Sequence, residues 1–135
     1  MDQEKFDTGL EARSRVLGQE YVDRAFGTAD AFNIEFQQLV TEYCWGEVWG
    51  RQVLTDRQRS LNNLCILASL NRPHEFKVHF RGALRNGCTL DELRDTLVQI
   101  MVYAGVPAGV EAFRLAREVL ADEGIDPGPK EEATG

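Results

Sequence analysis

Thiol and imidazole chemistry has little to draw on in this chain: three cysteines, Cys44, Cys65 and Cys88, stand far apart with no Cys-x-x-Cys pair, and there are only two histidines. That spacing excludes the clustered ligand sets of structural zinc sites, and the cysteines read as the reduced thiols of a cytoplasmic protein. Long apolar runs are missing too. None approaches the roughly 18 residues of a membrane-spanning helix, and the opening Met-Asp-Gln-Glu-Lys-Phe-Asp lacks the apolar stretch of a signal peptide, so a soluble, unprocessed chain with no membrane partner is expected. Basic excess is absent: the formal net charge is −7. That balance excludes an extended nucleic-acid or anionic-membrane face, although single arginines can still hold a small anion. Period-2 alternation of strand length is also lacking, whereas helical spacing accounts for nearly every apolar residue from Phe32 to Leu120. The expected fold class is all-α, in one domain over residues 1–121.

What is present falls into successive amphipathic segments. Phe6 to Leu17 suits a short helix ending at Gly18, and Tyr21 to Phe26 a further turn or two. Phe32, Phe36, Leu39, Val40 and Tyr43 repeat at helical spacing after the N-cap candidates Thr28 and Asp30, which predicts a helix over 30–44. It runs into Cys44-Trp45-Gly46-Glu47-Val48-Trp49-Gly50-Arg51, where two glycines lower helical propensity and two tryptophans flank one carboxylate. Trp45 and Trp49 fit a pocket wall, and equally a core or subunit-interface anchor. Thr55 to Gln58 and Thr89 to Glu92 are capping boxes, predicting helices over 56–70 and 90–104. Within the first, Asn62 and Asn63 interrupt the apolar face and need hydrogen-bond partners if buried. Pro107 suits the first turn of a last helix over 108–121. From Asp122 the composition loses periodicity, and residues 122–135 are expected to form a disordered tail. Such short helices, apolar over wide arcs, predict a homo-oligomer in which copies cover one another.

The chemistry concentrates between Asn71 and Cys88, which hold both histidines. Pro73 opens and Asn86-Gly87 closes a predicted helix over 74–85. Glu75 and His79 lie four residues apart on one face, where a carboxylate can orient an imidazole and raise its pKa, as a general acid or base requires. The same pair also fits a surface ion pair. His74 lies about 140° around the helix from His79, so the two cannot share a metal ion.

The order Trp-Gly-Glu-Val-Trp-x-Arg, Arg-Ser-Leu, Glu-x-x-x-His-x-Arg, Asn-Gly and Val-Tyr-Ala-Gly-Val-Pro-Ala resembles the carboxymuconolactone decarboxylase family, in its 4-carboxymuconolactone decarboxylase branch, from about Gly9 to Leu120. The resemblance implies an AhpD-like helical subunit in a closed homo-oligomer, usually a hexamer built as a trimer of dimers. It also implies a cofactor-free carboxy-lyase of protocatechuate catabolism in the β-ketoadipate pathway. The AhpD-like peroxidases of the same superfamily carry Cys-x-x-Cys three residues before the histidine, and those positions here are Arg72 and Glu75. The chain departs from the decarboxylase pattern at Gln52-Val53, where a Pro-Gly turn is usual, at Asn71 to Phe76, and at Asn62-Asn63.

The lactone substrate implied by the resemblance is its own electron sink, so the protein must anchor the retained acetate, stabilise an enolate oxygen and protonate a carbon. His79, oriented by Glu75, is the first candidate for proton donor. Glu47 competes, because flanking tryptophans would raise its pKa by desolvation. Arg51 and Arg81 are candidate carboxylate anchors, with Arg59 a lesser one. Tyr103 is a candidate donor to the enolate oxygen, and Trp45 and Trp49 are candidate apolar walls. No metal or cofactor is expected. The rival readings are a thiol-dependent peroxidase and a non-catalytic oligomeric binding module.

Overall fold

Two small apolar cores share one helix. The computed structural model describes residues 1–130 as helices joined by short loops: α1 (Gln3–Leu17), α2 (Gln19–Gly27), α3 (Ile34–Leu39), a π-helix (Val40–Val48), α4 (Asp56–Ser69), α5 (Pro73–Arg85), α6 (Leu90–Ala104) and α7 (Val106–Asp122). No strand occurs among the described residues, as the missing period-2 pattern predicts. The larger core lies among α4 to α7 and is built from Leu64, Phe76, Phe80, Leu93, Leu97, Ile100, Leu115 and Val119. In the smaller core Ala12, Val16 and Leu17 of α1 pack against Trp45 and Trp49, with Val78 of α5 against them. Helix α5 thus gives Phe76 and Phe80 to one core and Val78 to the other.

The local signals act as their chemistry dictates. Thr55 and Thr89 each accept from the backbone N–H three residues on, while Gln58 and Glu92 reach back to the cap N–H, so both capping boxes are complete. Pro73 sits in the first turn of α5, and Gly87, with φ of 85°, takes the left-handed conformation after its end. Gly105, at φ of 106°, separates α6 from α7. Helix α7 runs through Asp122, after which Ile125 N–H bonds Leu120 O at 2.9 Å. Of the expected tail, residues 131–135 lie outside the described residues. No helix among the described residues is long and apolar enough to cross a membrane.

The segment expected as one helix over 30–44 is built differently. Residues 31–33 form a turn, α3 is six residues long, and the chain then widens into the π-helix, with Trp49 N–H bonding Cys44 O, five residues back, at 3.0 Å. The wider turn brings residues four to five apart onto one face. Thr41, Trp45 and Trp49 all turn inward as a result. Phe32, Phe36, Leu39 and Tyr43, which make the apolar face expected of that helix, are exposed on the single chain.

Glycine permits this packing. A Cβ on Gly9 of α1 would lie 1.9 Å from Thr41 O, and one on Gly46 would lie 2.2 Å from Lys5 O, so α1 and the π-helix meet backbone to backbone. Beside that crossing the buried Arg13 donates to Thr41 Oγ1 at 3.2 Å, and Thr41 Oγ1 donates to Gln37 O at 2.7 Å. Gly9→Ala and Gly46→Ala are each expected to cost at least about 2 kcal/mol in urea unfolding, because backbone has no room to yield. Gly27→Ala, whose Cβ meets nothing within 4 Å, is expected to be neutral or to gain up to about 1 kcal/mol. Equal midpoints for all three would contradict the close crossing.

Candidate functional site

His79 sits on α5 at the seam between the two cores. The imidazole lies nearly parallel to Trp45, with centroids 6.1 Å apart and planes 4° from coincidence, and 6.4 Å from Trp49 at 22°. The two indoles stack on each other at 4.9 Å. Both tryptophans are buried, the placement expected of core anchors. On the α4 side, Asn63 Nδ2 lies 3.4 Å from His79 Nδ1. With the amide donating, Nδ1 accepts and the ring proton resides on Nε2. Asn63 is half-buried whereas Asn62 is exposed, so of the two asparagines only Asn63 needed a partner. Its role as the histidine's partner was not assigned from the sequence. The available signal was an amide interrupting the apolar spacing of the helix that precedes the histidine helix.

The electrostatics reverse two expectations. Burial against the indoles pulls the His79 pKa down to about 4, and the Glu75 carboxylate opposes that shift without overcoming it. Glu75 is itself exposed, and the imidazole's hydrogen-bond partner is Asn63. At neutral pH the resting imidazole is therefore uncharged, where the Glu75 pairing predicted a raised pKa. Glu47 reverses in the other direction. Its carboxylate turns away from the indoles to Lys5 Nζ at 2.9 Å and Arg51 at 3.2 Å, and these two cations, Lys5 foremost, hold its pKa below the usual range. An ionised carboxylate in such a clamp is a poor proton donor.

The remaining candidates do not gather around His79 on one chain. Arg51 is committed to Glu47, and Arg81 pairs with Asp122 at 3.1 Å and Glu123 at 3.3 Å near the end of α7. Tyr103, in the last turn of α6, is 85% exposed. The structure thus assembles His79, Trp45, Trp49 and Asn63, with Glu75 on the solvent side. The cysteines stay apart as well. Cys88 is buried and Cys65 half-buried, and burial raises both thiol pKa values, which suppresses the thiolate a peroxidase needs.

The His79 shift has a stability signature. Its folded-state pKa lies below the ordinary 6.5, so between pH 6.5 and about 4 the unfolded chain binds more protons, and stability should fall as the solution is acidified through that window. His79→Gln, which cannot titrate, should remove this part of the slope in urea unfolding measured from pH 7 to pH 4. An unchanged slope, or an imidazole titrating near 6.5 by NMR in the wild type, would refute the desolvated histidine.

Known sequences bear on this arrangement. The profile of the Carboxymuconolactone decarboxylase family matches residues 35–118, which span the π-helix, Asn63 and His79. A 4-carboxymuconolactone decarboxylase of Acinetobacter baylyi is 39% identical over 126 residues, covering 93% of this chain and 94% of that protein. A nitrosuccinic acid decarboxylase of Metarhizium robertsii is 38% identical over 117 residues, covering 87% and 82%. A shorter match, 35% identical over 46 residues, covers 34% of this chain and 96% of a 4-carboxymuconolactone decarboxylase sequence from Pseudomonas putida. With a profile that takes in the whole stacked cluster and a relative that is similar over almost its full length, this chain belongs to the carboxymuconolactone decarboxylase family.

Proposed function

We propose that this chain is a cofactor-independent carboxy-lyase of the cytoplasm, acting on 4-carboxymuconolactone or a closely related acid to give the β-ketoadipate enol-lactone and carbon dioxide. The observation that carries the reading is the His79 imidazole, desolvated against two buried indoles and pinned by Asn63, in a chain of this family. Loss of carbon dioxide from the carbon bearing the carboxylate leaves an electron pair conjugated through the ring double bond to the lactone carbonyl. That pair is quenched by one proton at the α-carbon, so each turnover consumes one proton. The apolar indole wall favours the step by stripping water from the departing carboxylate, whose charge disperses as the bond breaks.

His79 is the proposed proton donor, and its low resting pKa gives the step an order. The free site holds a neutral imidazole. A substrate carrying two carboxylates brings negative charge beside it, which raises the pKa and draws in the proton that is later delivered to carbon. Glu75 adds to that charge from the solvent side. Glu47 is proposed to hold Lys5 and Arg51 in place rather than to move a proton.

The bare apolar residues Phe32, Phe36, Leu39, Tyr43, Val102 and Val110 support assembly into a closed homo-oligomer, proposed as a hexamer of three dimers. There Tyr103 is available to an adjoining copy's site as the donor to the enolate oxygen. Light scattering at micromolar concentration should report the assembly, and a monomer would exclude it.

The activity is tested by following lactone absorbance and carbon dioxide release with purified protein. His79→Ala should cost about 10² to 10⁴ in turnover. Replacing Cys44, Cys65 and Cys88 together by Ser or Ala should leave turnover largely intact in a protein that is folded by circular dichroism. A folded cysteine-free protein without activity, beside a fully active His79→Ala variant, would replace this chemistry by a thiol-dependent one.

A further inference from the structure

Arg51 and Arg81 are each already neutralised by carboxylates of this chain, as are Arg15 by Asp56 and Arg57 by Glu92. Arg59 of α4 differs. Its Nε is sealed from solvent and has no hydrogen-bond partner, as is also true of Arg13 Nε; but Arg13 is held through Thr41 Oγ1, whereas neither a carboxylate nor a side-chain hydrogen bond holds Arg59 among the described residues. A buried guanidinium N–H without an acceptor is an arrangement that folded chains avoid unless something else completes it. The nearest acid along the helix, Asp56, is taken by Arg15 at 3.0 Å.

The position of Arg59 is as telling as its lack of a partner. It lies four residues before Asn63 and so on the same face of α4, one turn away. Asn63 is the residue that meets His79 Nδ1. The order along that face is an unpartnered guanidinium, then the amide that fixes the imidazole, with the indole wall behind the ring.

The two decarboxylases to which the chain is similar over most of its length act on acids with different electron sinks, a lactone carbonyl in one and a nitro group in the other. Both acids keep a second carboxylate after one is lost. We infer that Arg59 anchors the retained carboxylate, and that the substrate class of this site is an acid with a second carboxylate rather than a lactone as such. This rests on the decarboxylase reading, with Arg59 supplying the fork that Arg51 and Arg81 spend within the chain. The bidentate geometry makes lysine an incomplete substitute.

The test uses Arg59→Gln and Arg59→Lys, with the surface variant Arg24→Gln as control and circular dichroism to verify folding. Succinate, an unreactive dicarboxylate, serves as the probe. Its binding is read by the fluorescence of Trp45 and Trp49, and KM and kcat are measured on 4-carboxymuconolactone. Arg59→Gln should weaken succinate binding and raise KM by about ten- to a hundredfold, with a smaller change in kcat. Arg59→Lys should fall between it and the wild type, and Arg24→Gln should match the wild type. Wild-type KM and succinate binding in either folded Arg59 variant would overturn the anchor while leaving the decarboxylase reading intact. Arg59-dependent succinate binding in a wild type that turns over no lactone would do the reverse. If Arg59→Gln fails to fold, the Arg59→Lys comparison decides alone.

Discussion

The backbone contact between α1 and the π-helix is the constraint from which the site follows. Gly9 and Gly46 let two helices approach until no room for a Cβ is left between their backbones, and Trp45 and Trp49 pack inward against α1 there. The stacked indoles then form a flat wall against which α5 lays His79. Widening of the helix contributes alongside the missing side chains, because α-helical spacing would rotate Thr41, Trp45 and Trp49 progressively away from a common face.

The same wall sets the histidine's charge. In water Glu75, one turn away, would favour the imidazolium, but desolvation against two indoles outweighs a carboxylate that is itself exposed to solvent. Glu47 shows the converse. Although it lies between the tryptophans in sequence, its side chain leaves the helix on the face toward α1, where Lys5 and Arg51 neutralise it. Neighbours in sequence are not neighbours in the electrostatic sense when a helix places them on different faces.

Those two cases mark where the sequence could be read and where it could not. Helices α4 to α7 follow from capping boxes, Pro73, Pro107 and apolar spacing, all local signals whose energetics act within a turn or two. The stacking of His79 on the tryptophans was accessible only as a set of candidates, since it depends on a crossing between residues 30 and 34 positions apart in the chain. The widened helix was not legible: Gly46 read as an interruption, whereas its effect, together with Gly9, is to admit α1. The sign of the His79 shift likewise needed the depth of the ring, which no spacing rule supplies. The commitments of Arg51 and Arg81 to carboxylates, and the solitude of Arg59, are facts of tertiary placement.

The family profile begins at residue 35, yet Gly9, Lys5, Arg13 and Val16, all on α1, seat the π-helix and its tryptophans. The stretch that carries the family's sequence signature and the stretch that folds as a working unit therefore have different limits. A chain trimmed to the matched residues would keep His79, Asn63 and both indoles while exposing the indole wall to water on its α1 side. Solvation of that wall would let the imidazole return toward its ordinary basicity. The amino-terminal helix, remote from every candidate group in the sequence, is in this sense the part of the molecule that keeps the site dry.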